Sequence, residues 1–96
     1  MTGYRLTPAA QRDLSSIWDY TEAHRDVRQA ERCIGEIRAA VERVAEDPRR
    51  GRACDEIRAG YRRYGIGGHL LFFVESAYGI DVVRILHQRM DPSLHL

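Results

Sequence analysis

The chain contains no lysine: all fifteen basic residues among its 96 are arginine. A guanidinium stays charged at any working pH, so it makes a poor general base, and there is no ε-amine to take that role. What fifteen planar forks can do is recognise carboxylates and phosphates. Long apolar runs are also missing. None approaches the roughly 18–20 residues of a membrane span. The first residues, MTGYRLTPAAQRDL, lack the apolar core of an export signal, so a cytoplasmic protein with no membrane partner is expected. Cysteine is scarce. Cys33 and Cys54 are too few for a disulfide framework and are expected to be reduced thiols. Four scattered histidines without CxxC or HExxH spacing provide no metal site, and no cofactor is implied. A formal net charge of +1 argues against wholesale coating of nucleic acid.

What is present describes one soluble globular domain, residues 1–96, with 44% hydrophobic and 30% charged residues. A chain this short buries roughly 60–65% of its unfolded surface, so the core is modest. GYRLT, residues 3–7, reads as a first strand. Thr7-Pro8 opens a helix, with Thr as the cap and Pro preorganised at the first helical position. Ala10, Leu14, Ile17, Trp18 and Thr21 recur at helical spacing, and this helix is expected to end near His24. Asp26 and Gln29 resemble a capping box for a second helix. Its apolar stripe is Ala30, Cys33, Ile34, Ile37, Val41 and Val44. Arg32–Glu36 and Arg38–Glu42 are candidate i,i+4 pairs on its outer face. Asp47-Pro48 stops it.

After a charged connector, PRRGRACDEIRAG, the period changes. Residues 61–66, 69–76 and 80–86 read as strands, with Gly67-Gly68 as a two-residue hairpin turn. The expected fold is α+β: a two-layer β-α-α-β-β-β domain in which an antiparallel sheet packs on an α-helical hairpin. The strand HLLFFVES is apolar on both faces, with Leu70, Phe72 and Val74 on one and Leu71 and Phe73 on the other. Helices cover only one face, so the other needs a loop, the C-terminal MDPSLHL segment, or a partner.

The ending VVRILHQRMD places His87, Gln88 and Arg89 just beyond an apolar strand that contains Arg84. Metal-free RNA cleavage needs a base, an acid and cations on the phosphorane. His87, Arg89, Arg62 and Arg84 are the residues from which such a site would be built. Against it, Arg62 and Arg63 point to opposite faces, and Arg84 has Asp81, Glu75 or Asp91 as simple ion-pair partners. No Ser-His-Asp order, paired carboxylates or phosphate-cradling glycine loop is present.

Three stretches, LTPAAQRDLSSIWDYT, GRACDEIRAGYRRYGIGGHLLFF and IDVVRILHQRMDPSLHL, together span nearly the whole chain in order. With them the chain resembles the ParE toxins of the RelE/ParE superfamily. The resemblance implies a toxin of a type II toxin–antitoxin module that inhibits DNA gyrase and blocks replication. It also implies a ParD-like antitoxin, in a heterotetramer or larger complex, that alone contacts operator DNA. On that reading the chain is not an enzyme, and His87, Arg89, Arg84 and Arg63 are candidates for docking the target. Leu71, Phe73 and Trp18 are candidates for binding the antitoxin's tail, which folds on binding. Two alternatives stand beside it. One is a RelE-like ribosome-dependent mRNA endoribonuclease, although the tail after Arg89 has neither the Tyr nor the Lys typical of those enzymes. The other is a non-toxic remnant that only binds antitoxin.

Overall fold

The computed structural model describes residues 3–96. Strand β1 (Gly3–Leu6) leads into helix α1 (Pro8–His24) and helix α2 (Val27–Glu46). A 3-10 turn, Pro48–Arg50, precedes a two-residue strand β2 (Arg52–Ala53). Strands β3 (Arg62–Ile66), β4 (His69–Ser76) and β5 (Gly79–His87) follow, and a second 3-10 turn, Pro92–Leu94, ends the fold. The helix boundaries follow their caps. Thr7 accepts from Ala10 N at 3.1 Å with Pro8 at the first helical position, and Asp26 accepts from Gln29 N at 2.7 Å. Asp47-Pro48 terminates α2 as the steric rule for pre-proline residues requires. The two outer-face pairs, Arg32–Glu36 and Arg38–Glu42, do not close; the ion pairs among the described residues are Arg49–Asp47 and Arg84–Asp13. Exposed long side chains gain too little from such a contact to be held in it.

The sheet corrects the expected topology. It has five strands in the order β1-β5-β4-β3-β2, and it is mixed rather than wholly antiparallel. The β3-β4-β5 meander is antiparallel as expected, but β1 lies parallel to β5. The helical hairpin carries the chain back over the sheet, which frees β1 from the direction a tight turn would impose. β2 was hidden in the charged connector, because two residues carry no readable period. Gly79 sits at φ +147, and a Cβ there would run into the backbone of Gly3, so the β1–β5 approach requires glycine.

One irregularity sets everything near the C-terminus. Phe72 faces Arg84 while Phe73 faces Val82, so Val83 is an extra residue and β5 bulges. Ile80 and Val82 face the helices; strict alternation would send Arg84 and Leu86 after them. The bulge instead places Ile85 in the helix-side core and Leu86 on the opposite face. The helix-side core joins Ala10, Ile37, Val41 and Val44 to Leu71, Phe73 and the β5 residues. On the other face Phe72, Leu86 and Cys54 lie under Ile57 and Tyr61 of the connector and Met90 and Leu96 of the tail. The C-terminal segment therefore does fold back over the sheet, and the connector shares the task. Both thiols are free, and burial, reinforced by nearby glutamate, pushes their pKa values up.

Candidate functional site

β5 runs past the end of β1. Beyond Leu6 its edge is open, and the first turns of α1 close it with polar groups instead of a strand. Thr7 donates to Val83 O through Oγ1 at 2.8 Å, and Asp13 accepts from Ile85 N at 2.9 Å. Asp13 also takes a forked pair of bonds from Arg84, Nε at 2.7 Å and Nη2 at 2.9 Å, while Arg84 Nη1 reaches His95 O at 2.9 Å. Arg84 thus bonds its nearest carboxylate on α1, not Asp81, Glu75 or Asp91, and ties the helix layer to the tail. Both side chains are largely shielded, at 22% and 14% exposure. The Asp13 hydrogen bonds raise the Arg84 pKa, so its guanidinium stays charged.

At the end of β5 the chain turns back sharply. Met90 N donates to His87 O at 2.9 Å, Arg89 N to His87 Nδ1 at 3.2 Å, and Gln88 N to Gly68 O at 2.9 Å. The HQR backbone therefore caps the sheet, and its side chains stay outside: His87 and Arg89 are exposed. Because Nδ1 accepts, the neutral His87 ring carries its proton on Nε2. Asp91 then caps the last turn through Ser93, whose hydrogen bonds hold its carboxyl below the usual carboxylate range.

His69 stands directly across from His87, with ring centroids 5.5 Å apart and planes at 87°. Burial, helped by the facing His87, lowers the His69 pKa, so it is neutral at pH 7. These rings form one wall of an open groove of about 600 Å³. Ile17, Tyr20 and Thr21 of α1 form the other wall, and Arg89 and Met90 line it from the turn beyond β5. Tyr20 is 65% exposed and stacks on His24 at 4.0 Å between centroids.

Of the residues singled out in the sequence, only His87 and Arg89 line this groove. Arg62 is turned away and donates to Gly51 O at 2.9 Å. Arg63 lies on the tail-covered face, opposite Phe72 and Arg52. Leu71 and Phe73 are corrected outright: both are 0% exposed beneath the helices and unavailable to a partner. Trp18 is half-buried and belongs to neither core cluster. The groove's other contributors, His69, Tyr20 and Met90, were missed. The His69–His87 pairing depends on the Val83 bulge, since the register set by the Ser76–Gly79 turn would otherwise oppose His69 to Leu86.

A second, smaller hollow of about 180 Å³ lies where β1 meets the helical hairpin, lined by Tyr4, Leu6, Leu14, Ile34 and Arg38 among others. It is apolar with one cation at its border, and β1 beside it is an edge strand. Among the described residues there is no cluster of three or more metal-ligating side chains, and no helix is long and apolar enough to cross a membrane.

Residues 4–92 match the family model described as ParE toxin of type II toxin-antitoxin system, parDE. A curated relative, Toxin ParE1 of Mycobacterium tuberculosis, is 52% identical over 94 residues, covering 97% of this chain and 96% of its own. Toxin ParE1 of Caulobacter vibrioides is 38% identical over 96 residues, covering 100% and 99%. A solved chain of a chromosomal ParDE toxin–antitoxin system from P. aeruginosa superposes with a TM-score of 0.78. It covers 91% of this chain and 96% of that one, and at 19% identity it speaks to the fold alone.

Proposed function

The chain belongs to the ParE toxin family of type II toxin–antitoxin systems, and from that premise we propose that it inhibits DNA gyrase in the cytoplasm by docking through the His87–Arg89 turn. The observation that carries this reading is the division of labour among the arginines and histidines. The four residues from which a ribonuclease would be assembled are not together. Arg84 is held by Asp13 and the tail, and Arg62 by Gly51, so neither is free to meet a phosphorane. Arg89 is fixed by its backbone with its side chain uncommitted, and the exposed His87 ring is held in place by Arg89 N and the edge of His69, which is the state preorganised docking residues need.

The antitoxin, which is the family's partner, needs a site other than Leu71 and Phe73. The hollow beside β1 fits it better: Tyr4, Leu14 and Ile34 offer apolar surface, the open edge of β1 offers backbone hydrogen bonds, and Arg38 offers charge. A segment that orders on binding can use all three. Operator DNA is reached through the antitoxin, in a heterotetramer or larger complex.

One observation favours the ribonuclease as a second reading. His69 is neutral and therefore suited to be a base, next to His87 and near Arg89. With 5.5 Å between centroids, however, the rings touch each other and one must swing away to admit a phosphate. Two assays on the purified protein separate the readings: gyrase supercoiling with a cleavage-complex readout, and ribosome-dependent mRNA cleavage. Gyrase inhibition with intact mRNA is expected. Cut mRNA with untouched gyrase would overturn it in favour of the histidine pair. Silence in both, from a folded protein that still binds antitoxin, would leave a non-toxic remnant.

A further inference from the structure

Charge is spread unevenly over this chain. Residues 49–63 hold six of its fifteen arginines but only two of its fourteen carboxylates. The fold gathers them along the β2–β3 edge and the turns on either side. Arg52 and Arg63 are register partners, so their side chains leave one face of the sheet next to each other. Like charges directly opposed across strands are unfavourable. Among the described residues neither side chain makes a hydrogen bond or an ion pair. Of the two carboxylates in the stretch, Asp55 is turned back onto Gly60 N at 2.7 Å, leaving Glu56 alone against the cations. Arg49 and Arg62 are occupied by Asp47 and Gly51, which leaves Arg50, Arg52, Arg58 and Arg63 uncommitted.

We infer that this edge is a docking surface for the phosphate backbone of duplex DNA. Guanidinium groups recognise phosphate through paired hydrogen bonds, and four uncommitted ones in a short span form an electrostatic footprint even though the whole chain is close to neutral. The surroundings narrow the occupant. Single-stranded nucleic acid needs exposed aromatic rings to stack its bases. The exposed aromatics, Tyr4 and Tyr20, lie elsewhere, while Tyr61 and Tyr64 of this stretch are packed against the cores. A protein partner needs an aromatic or aliphatic anchor, and only Ala53 and Ala59 are exposed and apolar here. The choice of DNA over RNA rests on the gyrase reading, since gyrase holds duplex DNA. The contact is to backbone and carries no sequence preference.

The test is fluorescence anisotropy of the full chain titrated into a labelled 20-base-pair DNA duplex at salt concentrations from 50 to 200 mM. Weak binding is expected, with a dissociation constant near 10⁻⁶–10⁻⁴ M at physiological salt and a log–log salt slope of about −2 to −4. The double variant R52Q/R63Q is expected to fold normally, to lose roughly tenfold or more in affinity at low salt, and to show a slope shallower by about two. The control R12Q/R28Q removes two exposed arginines on the helices and is expected to bind as the parent does. Three results overturn the proposal: no saturable binding at 50 mM salt, equal losses in both double variants, or a preference for a duplex RNA or for polyglutamate. The assay contains no gyrase, so its failure and failure of the gyrase reading are told apart by the supercoiling assay.

Discussion

On one face of the sheet Leu71, Phe73, Ile80, Val82 and Ile85 lie under two capped helices. On the other, Phe72, Leu86 and Cys54 lie under a loop and the last residues of the chain. The helix side is built from regular elements, with Ile85 brought into it by the Val83 bulge. The tail side is closed by irregular backbone that must also turn, cap β5 and present His87 and Arg89. Cover and the proposed docking residues are one continuous segment there, so a change meant for function easily becomes a change in packing. Arg84 shows the same division at the scale of one side chain: it belongs to the same short motif as Arg89, yet it is wholly taken up in joining the two layers.

The sharpest break in this comparison is a pair of truncations. Phe73→Ala is expected to cost about 3–5 kcal/mol, since a helix-braced cavity collapses poorly. Phe72→Ala is expected to cost less, about 2–4 kcal/mol, because the loop and tail can settle into the space. Urea denaturation of both reads the difference, and equal costs would make the two faces energetically equivalent. Next comes the clamp. Asp13→Ala strands the Arg84 guanidinium and Ile85 N in a shielded site and is expected to cost about 2–3 kcal/mol. Asp13→Leu combined with Arg84→Met is expected to recover much of that, as replaced buried ion pairs often do. If the double variant is as unstable as the single, the pair is not the source of the loss.

Removing residues 91–96 uncovers part of Phe72 and Leu86 and removes the His95 contact. A cost of about 1–3 kcal/mol, read as a lower melting temperature, is expected. Smaller in stability but largest in function is Arg89→Ala. An exposed side chain should cost under about 0.5 kcal/mol, while gyrase inhibition is expected to fall away; a fully inhibitory, normally folded variant would end the docking model. The gentlest probe is pH. His69 has a folded pKa below its unfolded value of about 6.5. The unfolded chain therefore binds the proton first, and the contribution of His69 to stability is present above that value and lost as pH falls through the folded pKa. His69→Gln is expected to flatten the dip below about pH 6.5, and an unchanged pH profile would place the acid sensitivity elsewhere.

Much of the fold was legible. Thr7-Pro8, Asp26 with Gln29, and Asp47-Pro48 punctuate the helices through backbone hydrogen bonding and sterics that need no distant residue. The period-two runs placed three strands. The site was legible only in part. His87 and Arg89 stood out because polar residues followed an apolar strand. His69 did not, because its role comes from what faces it, and Leu71 and Phe73 were assigned to the wrong surface because alternation shows two faces without showing which one the helices cover.

The amino-acid sequence by itself determined the two helices, the four longer strands, the helix caps, their order and the absence of lysine chemistry, all properties set within a few residues. The tertiary structure alone decided that β1 runs parallel to β5, that Val83 bulges, and that Asp13 rather than a nearby carboxylate takes Arg84. The parallel pairing and the Asp13–Arg84 bond turn on groups about seventy or more residues apart in the chain, and the bulge on the β4–β5 register. The bulge is where the two levels meet: it moves Arg84 out of the helix-side core, puts Ile85 into it, and brings His87 face to face with His69. No local preference encodes it, because its benefit appears only when α1 lies against the open edge of β5.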